Sequence, residues 1–410
     1  MNNFLKNIIK KKSKVLVIGL GYVGLPLYLT IKKKGFEVFG LDINKSLVNR
    51  YKNKYKKSKI YYDYDNVDFD KIDIIIIALP TPLKNKSPDL SCLKDAMRMI
   101  YPKLTKNMLI ILESTSYPST TNEIIVSKIK NKFTIGKDFF IGYSPEREDP
   151  GNKSYNIKNI PKIVAGQTQN CKKLVKKFYS SVCDQIVESS TIENAEMAKL
   201  YENIFRVVNI SLANETKEIC KKINIDFNEV LKLASTKPFG FMPFKPGPGA
   251  GGHCIPVDPF YFNWYLRKKK INSNFISTAE KINSQMTNKI TSQIIRFLVK
   301  NQISKKEKIL FLGLAYKKNI DDLRNSPSLE IFKNLLSKKY NIEYNDNYIK
   351  NLVLNKKIYK SKNLSSHKKY KVLILSTDHD YYKNLNLRNA HLIFDLRNFF
   401  ERRYKSVIKL

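Results

Sequence analysis

The chain of 410 residues has little cysteine, little histidine and no long apolar run. Its five cysteines, Cys92, Cys171, Cys183, Cys220 and Cys254, form no CxxC pair and are too few for a disulfide scaffold, so they read as reduced thiols. The four histidines, His253, His367, His379 and His391, show no metal-ligand spacing, and no metal is expected. Although 42% of the residues are hydrophobic, no apolar stretch approaches the roughly 18 residues that a membrane span requires. The N-terminus, MNNFLKNIIKKKSK, is basic but lacks the longer apolar core and small-residue cleavage site of a secretory signal. The expectation is a cytoplasmic protein without membrane insertion, long enough to bury two or three separate cores.

Acidic residues are also scarce, with 36 Asp and Glu against 74 Lys and Arg, which gives a net charge of +38. Charge on that scale raises the question of a polyanionic partner. The lysines, however, are scattered among isoleucine, asparagine and tyrosine, as in KNKYKKSKIYYDYDN (52–66), in the manner of an AT-rich coding bias. No basic stripe is interleaved with a motif for RNA or DNA, so the charge reads as solvated lysine faces and no nucleic-acid partner is expected. It would still help to attract a nucleotide.

The first strong pattern is KVLVIGLGYVGLPLYLTIKKKGFEVFGLDIN. A short apolar strand, Val15 to Ile18, runs straight into Gly19-x-Gly21-x-x-Gly24, with Tyr22 and Val23 between the last two glycines. A helical pattern follows to about Lys34, and a second strand from Glu37 to Leu41 ends in Asp42. Glycines at this spacing allow a tight turn and bring a pyrophosphate onto the helix N-terminus, while the acid accepts from ribose hydroxyls. Strand, glycines, helix, strand and acid in this order make a dinucleotide-binding unit. Because a carboxylate at 42 repels a 2′-phosphate, the cofactor expected is NAD.

Further strands follow. IDIIIIALP (72–80) is the continuous apolar run of a sheet covered on both faces, and it leads into Pro80-Thr81-Pro82. NMLIILESTSYPSTT (107–121) repeats the plan, with Ser114 and Thr115 just past the strand's carboxyl end, where open α/β sheets bind ligands. Taken alone, both hydroxyls serve equally well as helix caps. FFIGYSPEREDPGN (139–152) places Glu146 and Arg147 in a loop, which in isolation reads as a solvated turn.

From about Thr191 the pattern becomes helical. In TIENAEMAKLYENIFRVVNISLANETKEICKKI, Lys199, Asn203 and Arg206 fall at i, i+4 and i+7 and share one helix face. A helix this long can bridge two domains and offer a surface for a homodimer. The stretch 237–262, KPFGFMPFKPGPGAGGHCIPVDPFYF, is rich in glycine, proline and aromatics and reads as an ordered loop carrying Cys254. A thiol so placed is either poised for chemistry or a core cysteine. Beyond Lys305, KILFLGLAYKKNIDDLRNSPSLEIF reads as strand, Gly313-containing turn and helix, with more strands at 371–382 and 391–398. The glycine fingerprint is incomplete there, so a second NAD is not expected.

The fold class expected is therefore α/β, with two Rossmann-like doubly wound domains joined by a long central helix. The boundaries expected are 1–190 for the NAD-binding domain, 191–300 for the central helical domain with the cysteine loop and dimer surface, and 301–410 for the second Rossmann-like domain.

VIGLGYVGLPL, ESTSYPSTT, YSPEREDPGN, NAEMAKLYENIFR, GPGAGGHCIPVDP and GLAYKKNIDDLRNSPS occur in the order seen in the UDP-glucose/GDP-mannose dehydrogenase family, which this chain resembles over nearly its whole length. Members oxidise the C6 alcohol of a nucleotide sugar to a carboxylate with NAD. KPFGFMPF before the cysteine loop and the arginine of NIFRVVNISLANE most resemble UDP-N-acetylglucosamine 6-dehydrogenases. UDP-glucose and UDP-N-acetylmannosamine remain alternative substrates, and a noncatalytic nucleotide or nucleic-acid binder is the alternative of another class.

The resemblance implies roles. Cys254 would attack the half-oxidised sugar, giving a thiohemiacetal and then a thioester. Lys199 would stabilise the oxyanion with Asn203 beside it. Asp258, with Lys199, would activate water and help remove the alcohol proton. Thr115 would position water and touch the cofactor, and Glu146 would contact substrate or assist hydrolysis. Arg147, Arg206, Phe244, Gly251 and Lys317 would line the UDP-sugar site, the third region reaching it by domain closure. Thr81 and Arg324 would join the glycine turn, Tyr22, Val23 and Asp42 in holding NAD. One position departs from relatives such as UDP-glucose dehydrogenases: Pro150 stands where they carry a second glutamate, four residues after Glu146.

Overall fold

The computed structural model describes the chain apart from residues 57, 150, 152–153, 253–254, 386, 388–390, 401–405 and 410 and the side chains of 366 and 368. It divides into two compact units, Met1–Glu202 with Phe260–Lys270, and Asn203–Pro259 with Ile271–Leu410.

The first unit opens with an amphipathic helix, α1 (Asn2–Ile9), followed by β1 (Lys14–Ile18), α2 (Gly24–Lys33), β2 (Glu37–Leu41), α3 (Lys45–Lys54) and β3 (Lys59–Tyr61). The chain then crosses to the other side of β1 as β4 (Ile74–Ile77), and a small hairpin, β5 (Leu83–Lys84) and β6 (Ser87–Pro88), precedes α4 (Ser91–Ile100). β7 (Leu109–Leu112), the short α5 (Ser127–Ile129), β8 (Phe140–Tyr143), β9 (Lys162–Gly166), α6 (Gln169–Tyr179) and β10 (Ile186–Glu188) complete it, before the long α7 (Ile192–Lys222), which contains the boundary between the units.

Eight strands form one sheet in the order β10-β9-β8-β7-β4-β1-β2-β3. Ile74 to Ile77 are all fully buried, as expected of a central strand with both faces covered. Val15, Val17, Ile74, Ile76, Leu109 and Ile111 pack in one cluster with residues of α1, α2 and α6, among them Ile8, Leu27, Ile31, Leu174 and Phe178. The alternate residues, including Leu16, Ile75, Ile110 and Leu112, are equally buried. Nearly all pairings are parallel, so strand ends and their loops collect at one edge. β9 alone runs antiparallel to β8, with Tyr143 opposite Ala165, and this reversal matters below.

The turn after β1 rests on two glycines. Gly19 has φ +89°, a region that favours glycine, and a Cβ on Gly24 would lie 1.7 Å from the carbonyl oxygen of Gly19. α2 can start where it does only because neither residue carries a side chain.

The second unit holds the remainder of α7, α8 (Phe227–Ala234), the start of α9 (Asp258–Lys268), α10 (Asn274–Lys300) and a second parallel sheet. Its elements are β11 (Ile309–Leu312), α11 (Pro327–Ser337), β12 (Ile342–Asn345), a hairpin of β13 (Asn351–Leu354) and β14 (Lys357–Lys360), β15 (Val372–Leu375), β16 (Leu392–Asp395) and β17 (Val407–Lys409). The sheet order is β12-β11-β15-β16-β17. α10 lays Met286, Ile290, Ile294 and Leu298 into the core formed with β11, β15 and α11. The expected two Rossmann-like units and long central helix are therefore present. Among the described residues no helix is long and apolar enough to cross a membrane.

The Gly24 contact sets a test. Gly24→Ala drives a methyl into a backbone oxygen that has no room to move, so it should cost about 3 kcal/mol or more. A lowered melting temperature together with lost retention on an immobilised NAD matrix is expected, and wild-type values for both would contradict the packing described.

Candidate active site

The nucleotide turn is built within the first unit. Asp42 closes it: one carboxylate oxygen accepts the Leu20 N–H at 2.8 Å and the other accepts the Asn44 N–H at 2.9 Å. A Cβ on Gly21 would meet nothing within 4 Å, so the surface above the turn is open, and Tyr22 is exposed beside it. The chain reverses its direction across the sheet between β1 and β4, the crevice where doubly wound folds take their ligands. Its far wall is tied down by hydroxyls. Thr81 Oγ1 donates to the Thr115 carbonyl at 2.8 Å, Ser114 Oγ to the Leu79 carbonyl at 2.8 Å, and Tyr261 Oη to the Thr81 carbonyl at 2.7 Å.

Beside this wall lies a charge cluster with no exposed member. Lys162 Nζ donates to Glu113 at 2.7 Å, to Glu146 at 3.0 Å and to the Pro145 carbonyl at 3.3 Å. Glu113 also accepts from the Tyr179 hydroxyl. Glu146 turns its other oxygen to the N–H groups of Arg147 and Glu148, at 2.6 and 2.7 Å. Burial pushes the Glu113 carboxyl up to about 7 against the pull of Lys162. Burial opposes ionisation of Glu146 as well, but Lys162 and the two backbone donors outweigh it and hold its carboxyl below the usual range. Removing the ammonium alone would leave two facing carboxylates in a dry site, a loss of about 3–5 kcal/mol. Arg147 forms an ion pair with Glu202 at 2.5 Å and donates to the Pro161 carbonyl at 2.9 Å.

On α7 the expected stripe is uneven. Lys199 and Asn203 are buried, but Arg206 is exposed. Lys199 is 8% exposed and its ammonium has neither hydrogen bond nor ion pair among the described residues. Asn203 donates through its amide nitrogen to Asp258, the first residue of α9, so these two functional candidates meet directly in the second unit. One turn before Lys199, Glu196 is fully buried and accepts from Ser119 N–H at 2.6 Å, Thr121 N–H at 2.9 Å and Thr121 Oγ1 at 2.7 Å. It thereby ties α7 to the loop after Thr115.

The glycine-rich loop is fastened from three directions within the second unit. Asn214 accepts the Gly247 N–H at 2.8 Å, Asn283 accepts the Ala250 N–H at 2.7 Å, and Gly252 bonds to the Arg324 carbonyl and the Asn325 amide, both at 3.1 Å. A Cβ on Gly251 would lie 2.6 Å from Pro327 and 2.8 Å from Tyr316, so the loop runs tight against the segment that carries Lys317 and Arg324. Arg324 itself is exposed and grips Asp322, with its Nη2 at 2.6 Å. Lys317 is half-buried, and Phe244 sets its ring 5.8 Å from that of Phe205. Cys254, like Pro150, lies outside the described residues.

Sequence reasoning missed Glu113, Lys162, Tyr179, Glu196, Tyr261 and the asparagines that fasten the loop. Glu113 directly precedes Ser114 and Glu196 sits one turn from Lys199, so proximity to a motif was the available signal for those two. In the second unit Asp346 follows β12 as Asp42 follows β2, and accepts the N–H of Leu314 at 2.8 Å. It is already paired with buried His379 at 3.1 Å.

A glycine turn at the carboxyl end of β1, closed by an acid at the end of β2 within a doubly wound sheet, is the geometry of a dinucleotide-binding domain. Comparison with known proteins agrees. The UDP-glucose/GDP-mannose dehydrogenase models match as NAD binding domain over residues 13–64 and 56–183, as central domain over 193–285, and as UDP binding domain over 310–402. The chain belongs to the UDP-glucose/GDP-mannose dehydrogenase family and is an NAD-dependent nucleotide-sugar dehydrogenase. It is 39% identical to Protein CapL of Staphylococcus aureus over 81% of each chain. It is 33% identical to the UDP-N-acetyl-D-glucosamine 6-dehydrogenase of Pseudomonas aeruginosa, over 94% of this chain and 97% of that one. Among solved structures it is similar to the UDP-D-ManNAc dehydrogenase of Pyrococcus horikoshii, with a TM-score of 0.85, 28% identity, and 96% and 98% of the two chains covered.

Glu196 carries a pH signature. Burial raises its carboxyl from 4.5 to about 7 despite three donors. The folded state therefore holds this proton more tightly, and the stability it contributes is complete below about pH 4.5 and is lost as pH rises through about 7. Glu196→Gln should flatten the fall in melting temperature between pH 5 and 8 while lowering stability throughout, because an amide nitrogen cannot accept the Ser119 N–H. Thermal melts across that range check it, and an unchanged slope would contradict the assignment.

Proposed function

We propose that the protein oxidises the C6 hydroxyl of a UDP-N-acetylhexosamine, foremost UDP-N-acetylglucosamine, to the uronic acid through a covalent intermediate on Cys254. The observation that carries this reading is the buried Asn203–Asp258 pair at the head of α9, four residues along α7 from Lys199, whose ammonium makes no hydrogen bond or ion pair among the described residues. Such a cation suits an oxyanion that forms only during the reaction. NAD, held by the glycine turn and Asp42, supplies the hydride acceptor in both oxidations. In sum, one alcohol, two NAD⁺ and one water yield one carboxylate, two NADH and three protons.

Within this reading the Cys254 thiolate adds to the aldehyde carbon, and Lys199 with Asn203 steadies the resulting oxyanion. Loss of hydride leaves a thioester, and water then breaks the carbon–sulfur bond and returns the thiolate. Asp258 serves the alcohol proton and the water, Thr115 positions that water and touches the cofactor, and Thr81 and Arg324 join the turn in holding NAD. Glu146, Arg147, Arg206, Phe244, Gly251 and Lys317 contact the UDP-sugar. Functionally, residues 1–190 hold NAD, 191–300 bring the cysteine loop and the contact between copies, and 301–410 hold the uridine diphosphate. The apolar side chains left exposed on α7, just after it and on α8, Leu212, Ile219, Ile223 and Leu233, support pairing of two copies there. The activity fits the cytoplasmic supply of an acidic amino sugar for surface polysaccharide.

The epimer is the open choice. Relatives named for both substrates lie at similar distance, 33% identity for the Pseudomonas aeruginosa glucosamine enzyme and 31% for the UDP-N-acetyl-D-mannosamine dehydrogenase of Methanocaldococcus jannaschii. KPFGFMPF ahead of the cysteine loop favours the glucosamine substrate.

Incubation with NAD and a panel of UDP-sugars tests the proposal. About two NADH per sugar consumed, fastest with UDP-N-acetylglucosamine, is expected. One NADH per sugar would mean arrest at the aldehyde, faster turnover of the manno epimer would reverse the substrate order, and no turnover with retention of RNA would favour a binder. Cys254→Ser should reduce steady acid production by about 10²-fold or more while NAD binding persists; an undiminished yield would remove the covalent step.

A further inference from the structure

Glu113, Glu146 and Lys162 are far apart in sequence, and the sheet brings them to one place. β7 and β8 are parallel, with Leu112 opposite Tyr143, so Glu113 and the Ser144–Glu146 segment leave the sheet at the same edge. β9 is antiparallel to β8, so its first residue, Lys162, is delivered to that edge rather than to the opposite one. The three N–H bonds of the ammonium meet three acceptors, Glu113, Glu146 and the Pro145 carbonyl. Side-chain exposure is 4% for Lys162, 0% for Glu113 and 9% for Glu146, which makes Glu146 the accessible end of the cluster.

The two carboxylates are not equivalent. Glu113 is held from behind by the Tyr179 hydroxyl. Glu146 has one oxygen taken by two backbone N–H groups and the other by Lys162 alone, so that second oxygen keeps a lone pair. We propose that Lys162 is the positioning residue of Glu146: its ammonium, anchored by Glu113, fixes the Glu146 side chain in one rotamer and keeps it a carboxylate with one accepting site to spare. This rests on the reading that Glu146 contacts the substrate or assists hydrolysis.

The charges divide accordingly. Two carboxylates share one cation in a dry site, where burial pushes Glu113 up to about 7 while Lys162 and the two backbone donors hold Glu146 below the usual range. The other ionisable groups facing the cluster are Tyr179, Cys183 and Glu148. Burial keeps the Cys183 thiol protonated, up to about 12, and burial together with Glu146 raises Glu148. Lys162 is thus the cation bonded to Glu146, and Arg147 is engaged with Glu202.

Lys162→Met alone would leave the carboxylates facing each other, so the informative variant is Lys162→Met with Glu113→Gln, which removes one charge of each sign. Full-length protein with carbon-13-labelled glutamate carboxyls, titrated by NMR and with Glu146 assigned from Glu146→Gln, reports its midpoint directly. In the double variant that midpoint should rise by about one pH unit or more, and the acidic limb of the acid-production profile should rise with it. The KM for NAD should stay within twofold, and Lys162→Arg should restore the wild-type midpoint. If Met is not tolerated, Lys162→Gln with Glu113→Gln is read the same way. A folded double variant with an unmoved Glu146 midpoint overturns the proposal, as does a Glu146→Gln enzyme of full activity. Absence of NADH from wild type with every UDP-sugar would instead sink the proposed function, and the NMR midpoints would still decide whether Lys162 governs Glu146.

Discussion

The approach of α2 to the turn at Gly19 is the contact on which the first unit depends. With no side chain at Gly19 or Gly24, a helix N-terminus comes within contact of the strand end, beside the crevice between β1 and β4. Asp42 then locks the turn by accepting from Leu20 while keeping its place beside the crevice. The site walls at Leu79–Pro82 and Ser114–Thr115 are fixed to one another by hydroxyl-to-carbonyl bonds, so the cofactor side rests on short connections between neighbouring strands.

The two units solve the same problem differently. Both have a strand, a glycine of positive φ and an acid after the next strand. In the first unit the acid accepts from the backbone N–H groups of Leu20 and Asn44, whereas in the second Asp346 is buried against His379, with the rings of Tyr348 and Tyr381 stacked on the imidazole. Burial disfavours the Asp346 anion, yet His379 and the backbone donors hold its carboxyl low. A carboxylate engaged in this way has a structural task within its own unit.

Much of this was legible in the sequence because it is local. The turn, the four-isoleucine strand and the long helix are each written within about a dozen to thirty residues, and their periodicities match the elements found. The helical stripe at 199, 203 and 206 was legible as a spacing but not as an environment, since burial of Lys199 and exposure of Arg206 depend on what packs against each turn. The cluster at Glu113, Glu146 and Lys162 was illegible for a different reason. Its members meet because β9 runs against β8, and no local pattern announces strand direction. The pairing of Asp346 with His379, 33 residues apart, is hidden in the same way.

The segment leading into Cys254 is fastened by Asn214, Asn283 and Asn325, all neutral amides. Groups of this kind neither gain nor lose protons in water and attract no counterions. Acidity and ionic strength that reset the carboxylates elsewhere therefore leave these fastenings untouched, and the backbone they hold keeps one shape while the surrounding charge varies.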